Sequence, residues 1–183
     1  MDYIALFVGI IGGGASVYAL FIARPRSKSW RSVCNAIRKI IHELETKSFI
    51  PDLVILYGRG GAIFGGLIAG NMGNIPVALF DREVINTDGT INTNPIHIDS
   101  LHYIKGKKIL FVTGEVITGN QLLSAQKLIK KYMPDGLKTA SYYVCRTSCC
   151  YPDHYFIESN TKVKVPWRLS SKYRYTSKLT VLD

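Results

Sequence analysis

The chain has 183 residues, 47% of them hydrophobic, and carries 23 lysines and arginines against 13 acidic residues for a net charge of +10. That length leaves room for one ordinary α/β domain and a short appendage. The four cysteines form no CxxC pair, which argues against a zinc module, and the excess positive charge suits an anionic membrane surface or a phosphate-bearing ligand. Nucleic acid is disfavoured, because no basic stripe with interleaved aromatics precedes the tail.

The appendage comes first. From Tyr3 to Ala23, YIALFVGIIGGGASVYALFIA, no residue is charged, and a helix of that length rises about 31 Å, close to the hydrocarbon thickness of a bilayer. Asp2 precedes it where a signal peptide would have a basic start, and the bases Arg24, Arg26, Lys28 and Arg31 follow it instead. The positive-inside tendency then predicts a single-pass anchor with everything after Arg24 in the cytoplasm. We therefore divide the chain into an anchor with its basic flank, residues 1–26, and a domain spanning 27–183. Ala5, Gly9 and Gly13 recur every four residues, a stripe that suits helix pairing and hence a homodimer or another membrane partner. The general abundance of small residues in membrane helices explains it equally.

Ser29 to Glu45 places Trp30, Val33, Ile37, Ile40, Ile41 and Leu44 at helical spacing, an amphipathic helix leaving the membrane. Leu53 to Tyr57 is a continuous apolar run of buried-strand type. GRGGAIFGGLIAGNMG follows, apolar on nearly every side and rich in small residues, as a helix packed tightly on a sheet requires. Pro76 to Phe80 reads as a second strand, and the polar stretch from Asp81 to Tyr103, turning at Asp88-Gly89, as a projecting hairpin. Ile109 to Val112 is a third strand. Leu122, Ala125, Leu128, Ile129 and Tyr132 then mark one face of a helix ended by Met133-Pro134, and Thr139 to Val144 makes a fourth strand. Such alternation predicts an α/β fold, a parallel sheet flanked by helices, with ligands held at the carboxyl ends of the strands. Both glycine turns, Gly58 to Gly61 and Gly114 to Gly119, fall there. The cysteines Cys34, Cys145, Cys149 and Cys150 read as small apolar residues of the interior, with a redox role for the adjacent pair as the lesser alternative.

The turns suit anions. GRGG offers unobstructed backbone N–H groups and a cation, Arg59, beside Gly60 and Gly61, although the same glycines also permit a plain strand-to-helix turn. Thr118 and Gly119 lead into a helix start at Asn120 and Gln121, where free N–H groups favour a phosphate. Taken as a whole, KKILFVTGEVITGNQL resembles the phosphoribosyl-pyrophosphate signature of type I phosphoribosyltransferases, in which a hydrophobic strand runs into two acids, two variable positions and a Thr-Gly turn. KSWRSVCNAIRKIIHELETKSFIPDLVILYGRGG resembles the opening of bacterial purine phosphoribosyltransferases of the xanthine-guanine type, and SYYVCRTSCCYPDHYFIESNTKVKVPW their closing segment. The likeness runs from Trp30 to Trp167.

It implies a phosphoribosyltransferase-like domain with a hairpin hood, anion contacts at Arg59, Gly60, Gly61, Thr118, Gly119, Asn120 and Gln121, and a base pocket at Cys145, Lys162 and Trp167. Magnesium is implied if the domain is active. Yet Thr113 and Gly114 stand where the family has its acids, and neutral residues cannot offset a developing oxocarbenium charge. Glu115, one place on, is the sole candidate catalytic acid, and Cys145 and Lys162 replace a base-reading lysine and an aromatic platform. Trp167 reads chiefly as a residue that closes the fold. The expectation is a degenerate domain that binds a phosphorylated nucleotide or sugar as a sensor. An active transferase using Glu115 with a changed acceptor, and a ligand-free scaffold in a signalling or defence assembly, remain the alternatives.

Overall fold

The computed structural model describes residues 28–80, 103–161 and 163–168. The expected anchor and its boundary at residue 26, the hairpin up to residue 102, Lys162 and the rest of the basic tail lie outside them. Among the described residues no helix is long and apolar enough to cross a membrane.

In chain order the elements are α1 (Trp30–Thr46), β1 (Leu53–Tyr57), α2 (Gly58–Asn71), β2 (Val77–Phe80), β3 (Lys108–Val116), α3 (Asn120–Lys130), β4 (Gly136–Cys145) and β5 (His154–Ser159). The five strands form one sheet in the order β2-β1-β3-β4-β5, and every pairing is parallel. Two differences from the sequence reading matter. HYFIES pairs with β4 as a fifth strand at the sheet edge; half-buried and mixed in character, it lacks the apolar run that marks an interior strand. β3 also continues past Val112 to Val116, so Gly114 lies inside the strand rather than in the turn after it.

Alternation along the strands divides the core into two faces. Val54, Leu56, Leu110 and Val112 meet α1 and α2, whose Val33, Ile37, Ile40, Phe64 and Ile68 are buried with them. Leu53, Ile55, Ile109 and Phe111 pack instead against Leu122, Ala125, Leu128 and Ile129 of α3. Ser29 caps α1, its hydroxyl accepting from the backbone N–H of Ser32 at 3.4 Å. Trp30, expected on the buried face, is 52% exposed, because as the first helical residue it precedes the turn that reaches the core.

The small residues of α2 have a steric reason. A Cβ at Gly65 would stand 2.5 Å from Cδ2 of Leu56 and 2.9 Å from Cβ of Val112, so only glycine lets the helix sit this close to the sheet. Burying Phe64 completely is the return on that approach, and truncating such a side chain to alanine costs about 3–5 kcal/mol.

α1 is tied to β5 by polar contacts. Nδ1 of the buried His154 lies 2.8 Å from Oε2 of Glu43, Lys39 is 3.5 Å from the same carboxylate, and Lys39 also donates to the carbonyl of Tyr155 at 2.9 Å. Burial pushes the Glu43 carboxyl up, but the hydrogen bond with His154 and the charge of Lys39 outweigh it and hold the group below its ordinary range. At the start of β5, Asp153 accepts from the N–H and hydroxyl of Thr139, at 2.9 and 2.8 Å. Asp153 thus registers β5 against β4.

Candidate functional site

β1, β3 and α3 converge at the carboxyl end of the sheet, where helices start and side chains give way to backbone. A cavity of about 90 Å³ opens there, lined by Tyr57 at the end of β1, Phe111, Thr113, Glu115 and Val116 of β3, the turn Ile117, Thr118 and Gly119, and Gln121 and Leu122 of α3. Its lining mixes apolar side chains, Tyr57, Phe111, Val116 and Leu122, with polar ones, Thr113, Glu115, Thr118 and Gln121.

The turn is built by glycine. Gly119 has φ +88°, and a Cβ there would stand 2.5 Å from the backbone N of Cys150 and 2.6 Å from the Ser148 hydroxyl. The segment Ser148 to Cys150 therefore backs the turn directly, and the N–H of Cys149 donates to the carbonyl of Thr118 at 2.8 Å. α3 begins at Asn120 with Gly119 as its cap and no side-chain capping bond. The first N–H groups of such a helix attract anions.

The candidate phosphate residues therefore divide. Thr118, Gly119 and Gln121 line the cavity; Asn120 is exposed beside it, its side-chain oxygen accepting from the thiol of Cys149 at 3.3 Å. Arg59, Gly60 and Gly61 do not line it. Arg59 is exposed on the first turn of α2, while the two glycines are taken up by packing on β3. A Cβ on Gly61 would run into the carbonyl of Val112, and one on Gly60 would stand 3.0 Å from Cα of Gly114. Conversely, a Cβ on Gly114 would stand 2.7 Å from Cα and 2.9 Å from the carbonyl carbon of Gly60. At Gly114, where the resemblance leads one to expect the second acid, the first turn of α2 and β3 touch backbone to backbone, in the space a side chain would need.

Thr113, where the resemblance leads one to expect the first acid, is buried and lines the cavity, its hydroxyl donating to the carbonyl of Glu115 at 3.3 Å. Strand alternation sets Gly114 against Gly60 and brings Glu115 to the cavity side with Phe111 and Thr113. Glu115 does not stand alone: its carboxylate is ion-paired with the guanidinium of Arg168.

Of the base-pocket candidates, Lys162 lies outside the described residues, and neither Cys145 nor Trp167 lines the cavity. Cys145 is buried outside the cavity lining, its thiol 3.2 Å from the Thr147 hydroxyl and lowered chiefly by that hydrogen bond. Trp167 stacks on Phe64 at 6.2 Å between ring centroids and meets Tyr142 edge-on at 5.1 Å, so it closes the α1/α2 face over Gly60. Nearby, Tyr143 directs its hydroxyl at the carbonyls of Ser159 and Thr161, and burial first of all pushes its phenol up to about 12.

The expectation of buried cysteines fails at two positions. Cys34 and Cys149 are exposed and Cys150 is half-buried. Sequence reasoning also missed Tyr57, Ile117 and Arg168. Tyr57 was read only as a strand end, and Arg168 follows Trp167 with no motif to mark it. For magnesium, the donor set is poor. Glu115 is the one carboxylate in the cavity and is already engaged, and among the described residues no group of three or more His, Cys, Asp or Glu side chains converges. These residues do not fit a protein-held magnesium.

No protein-family model and no curated protein matches the chain. Solved structures do. A purine phosphoribosyltransferase from Pyrococcus horikoshii OT3 superposes with a TM-score of 0.66 at 25% identity, covering 78% of this chain and 92% of that one. The Helicobacter pylori xanthine-guanine-hypoxanthine phosphoribosyltransferase gives 0.59 at 18% identity over the same shares. A hypoxanthine phosphoribosyltransferase from Staphylococcus aureus gives 0.56 at 12%, covering 72% of this chain and 74% of its own. The fold is that of the purine phosphoribosyltransferases. The chain combines it with a cavity at the carboxyl end of the sheet.

Proposed function

We propose that the domain binds a phosphorylated nucleotide or a phosphoribosyl-pyrophosphate-like ligand at the α3 turn, and that it serves as a sensor or regulatory module rather than in ordinary purine salvage. One observation carries this reading: the cavity keeps Thr118, Gly119 and Gln121 at a helix N-terminus, while Thr113 and a sterically enforced Gly114 replace the acids. Phosphate binding needs only N–H groups, a hydroxyl and an accessible turn. Glycosyl transfer additionally needs negative charge aimed at the ribose as the bond breaks, and that field is weakened here. A thermal-shift screen on the whole protein, with phosphoribosyl pyrophosphate, nucleoside monophosphates and their unphosphorylated nucleosides, tests it. Stabilisation by the phosphorylated members alone is expected; equal indifference to all would overturn it.

A second reading, a working transferase with a changed acceptor, draws on the position of Glu115 in the cavity lining. It predicts release of pyrophosphate with some base and magnesium, abolished by Glu115→Gln. The membrane anchor expected in residues 1–26 belongs to the same proposal: it would place the domain at the inner leaflet, where occupancy of the site could be passed to a membrane or protein partner.

A further inference from the structure

Among the described residues, the lining of the cavity contains no lysine or arginine, and its one charged residue is Glu115. An arriving phosphoryl group would therefore meet a carboxylate. The cation nearest to that carboxylate comes from the far end of the described chain. Trp167 is fixed by Phe64 and Tyr142, and the N–H of Arg168 donates to the carbonyl of Val165 at 3.1 Å, a short turn that sends the next side chain across to β3. There the Arg168 guanidinium meets Glu115, with 44% of the Arg168 side chain and 20% of the Glu115 side chain still open to solvent.

We propose that Arg168 is a ligand-binding residue of this cavity and that Glu115 is its exchangeable counter-ion, from which a phosphoryl group takes the guanidinium. The inference rests on the phosphate-ligand reading above and adds the residue that supplies the cation. A partly exposed ion pair is a weak interaction, since solvent screens it and holding two long side chains costs entropy. The pair is joined through one guanidinium nitrogen and one carboxylate oxygen, whereas a phosphate dianion brings twice the charge and can accept two parallel charge-assisted bonds from the same fork. Exchange therefore runs toward the ligand. In the empty site, Glu115 keeps Arg168 ordered at the rim and Arg168 masks the negative charge. Arg59, exposed on α2 and away from the cavity lining, has no comparable position.

The pair gives opposite predictions for its two members. Calorimetric titration of the whole protein in mild detergent, with phosphoribosyl pyrophosphate and separately with inorganic pyrophosphate, is the test. Arg168→Gln should weaken binding about tenfold or more, and Arg168→Lys should fall between it and the wild type, keeping the charge but losing the fork. Glu115→Gln should tighten binding severalfold by releasing Arg168 and removing a competing anion. A pair that only braces the fold would behave otherwise, because both substitutions break the same contact and would shift affinity in the same direction. That outcome, or unchanged affinity in Arg168→Gln, overturns the exchange while leaving the phosphate site in place. A wild-type protein that binds neither compound removes the phosphate reading and the exchange with it.

Discussion

Restoring the acid at position 114 should damage the fold before it restores any chemistry. In Gly114→Asp the new Cβ would stand 2.7 Å from Cα and 2.9 Å from the carbonyl carbon of Gly60, both backbone atoms at the first turn of α2. Carbon atoms rest at about 3.5–4.0 Å, so the two segments must part by roughly 0.8 Å or more. Gly61, next along, sits against the carbonyl of Val112, and Gly65 against Leu56 and Val112, so α2 cannot retreat locally without lifting its whole packed face. Overpacking of this kind costs about 1–3 kcal/mol, and burying a carboxylate without a partner adds to it. Gly114→Ala is the cleaner variant, carrying only the steric part. Urea unfolding should show its midpoint lowered at unchanged slope by the equivalent of about 1–3 kcal/mol, with Gly114→Asp lower still. Thr113→Asp, at a position that already holds a side chain facing the cavity, should cost less than Gly114→Asp. A Gly114→Ala protein within about 0.5 kcal/mol of wild type would refute the backbone contact and leave the loss of the acid without a structural cause.

Two further outcomes test the polar tie between α1 and β5 and the proposed anchor. Glu43 has its carboxyl held below the ordinary range by His154 and Lys39, so it stabilises the folded state above its unfolded pKa and loses that contribution as pH falls through the folded one. Glu43→Gln should therefore be less stable by about 0.5–1 kcal/mol at neutral pH, a modest figure for a partly solvated group, and urea midpoints of the two proteins should converge as pH falls beneath the ordinary carboxylate range. For the N-terminal segment, carbonate extraction of membranes should leave the full chain in the pellet and release a chain lacking residues 1–26. Recovery of both in the supernatant would remove the anchor.

Much of the fold was legible because the signals were local and redundant. Leu53 to Tyr57 and Ile109 to Val112 are unbroken apolar runs, which parallel strands covered on both faces require, and the α3 stripe from Leu122 to Ile129 holds at every position. β5 was missed because an edge strand lacks that run. The site was legible only in part. Thr118, Gly119 and Gln121 could be placed, since a strand, a glycine turn and a helix start lie together in sequence. Whether GRGG cradles an anion or packs on a neighbour depends on a contact with Gly114, far along the chain, which spacing cannot report. Arg168 was invisible for the same reason: its pairing with Glu115 exists only once Trp167 has docked on Phe64 and Tyr142. The cysteines show the limit of residue-type averages, because Cys34 and Cys149 are exposed, the latter on the segment that backs the α3 turn.

The central claim is that the segment from Thr113 to Leu122, comprising the end of β3, the turn and the start of α3, holds a phosphoryl group. Hydrogen–deuterium exchange on the whole protein, with and without phosphoribosyl pyrophosphate, tests it most directly, since it reports where backbone N–H groups become protected. The account predicts slowed exchange concentrated in residues 113–122, reproduced in part by inorganic pyrophosphate. Unchanged exchange there at saturating ligand, or protection confined to another part of the chain, would contradict it.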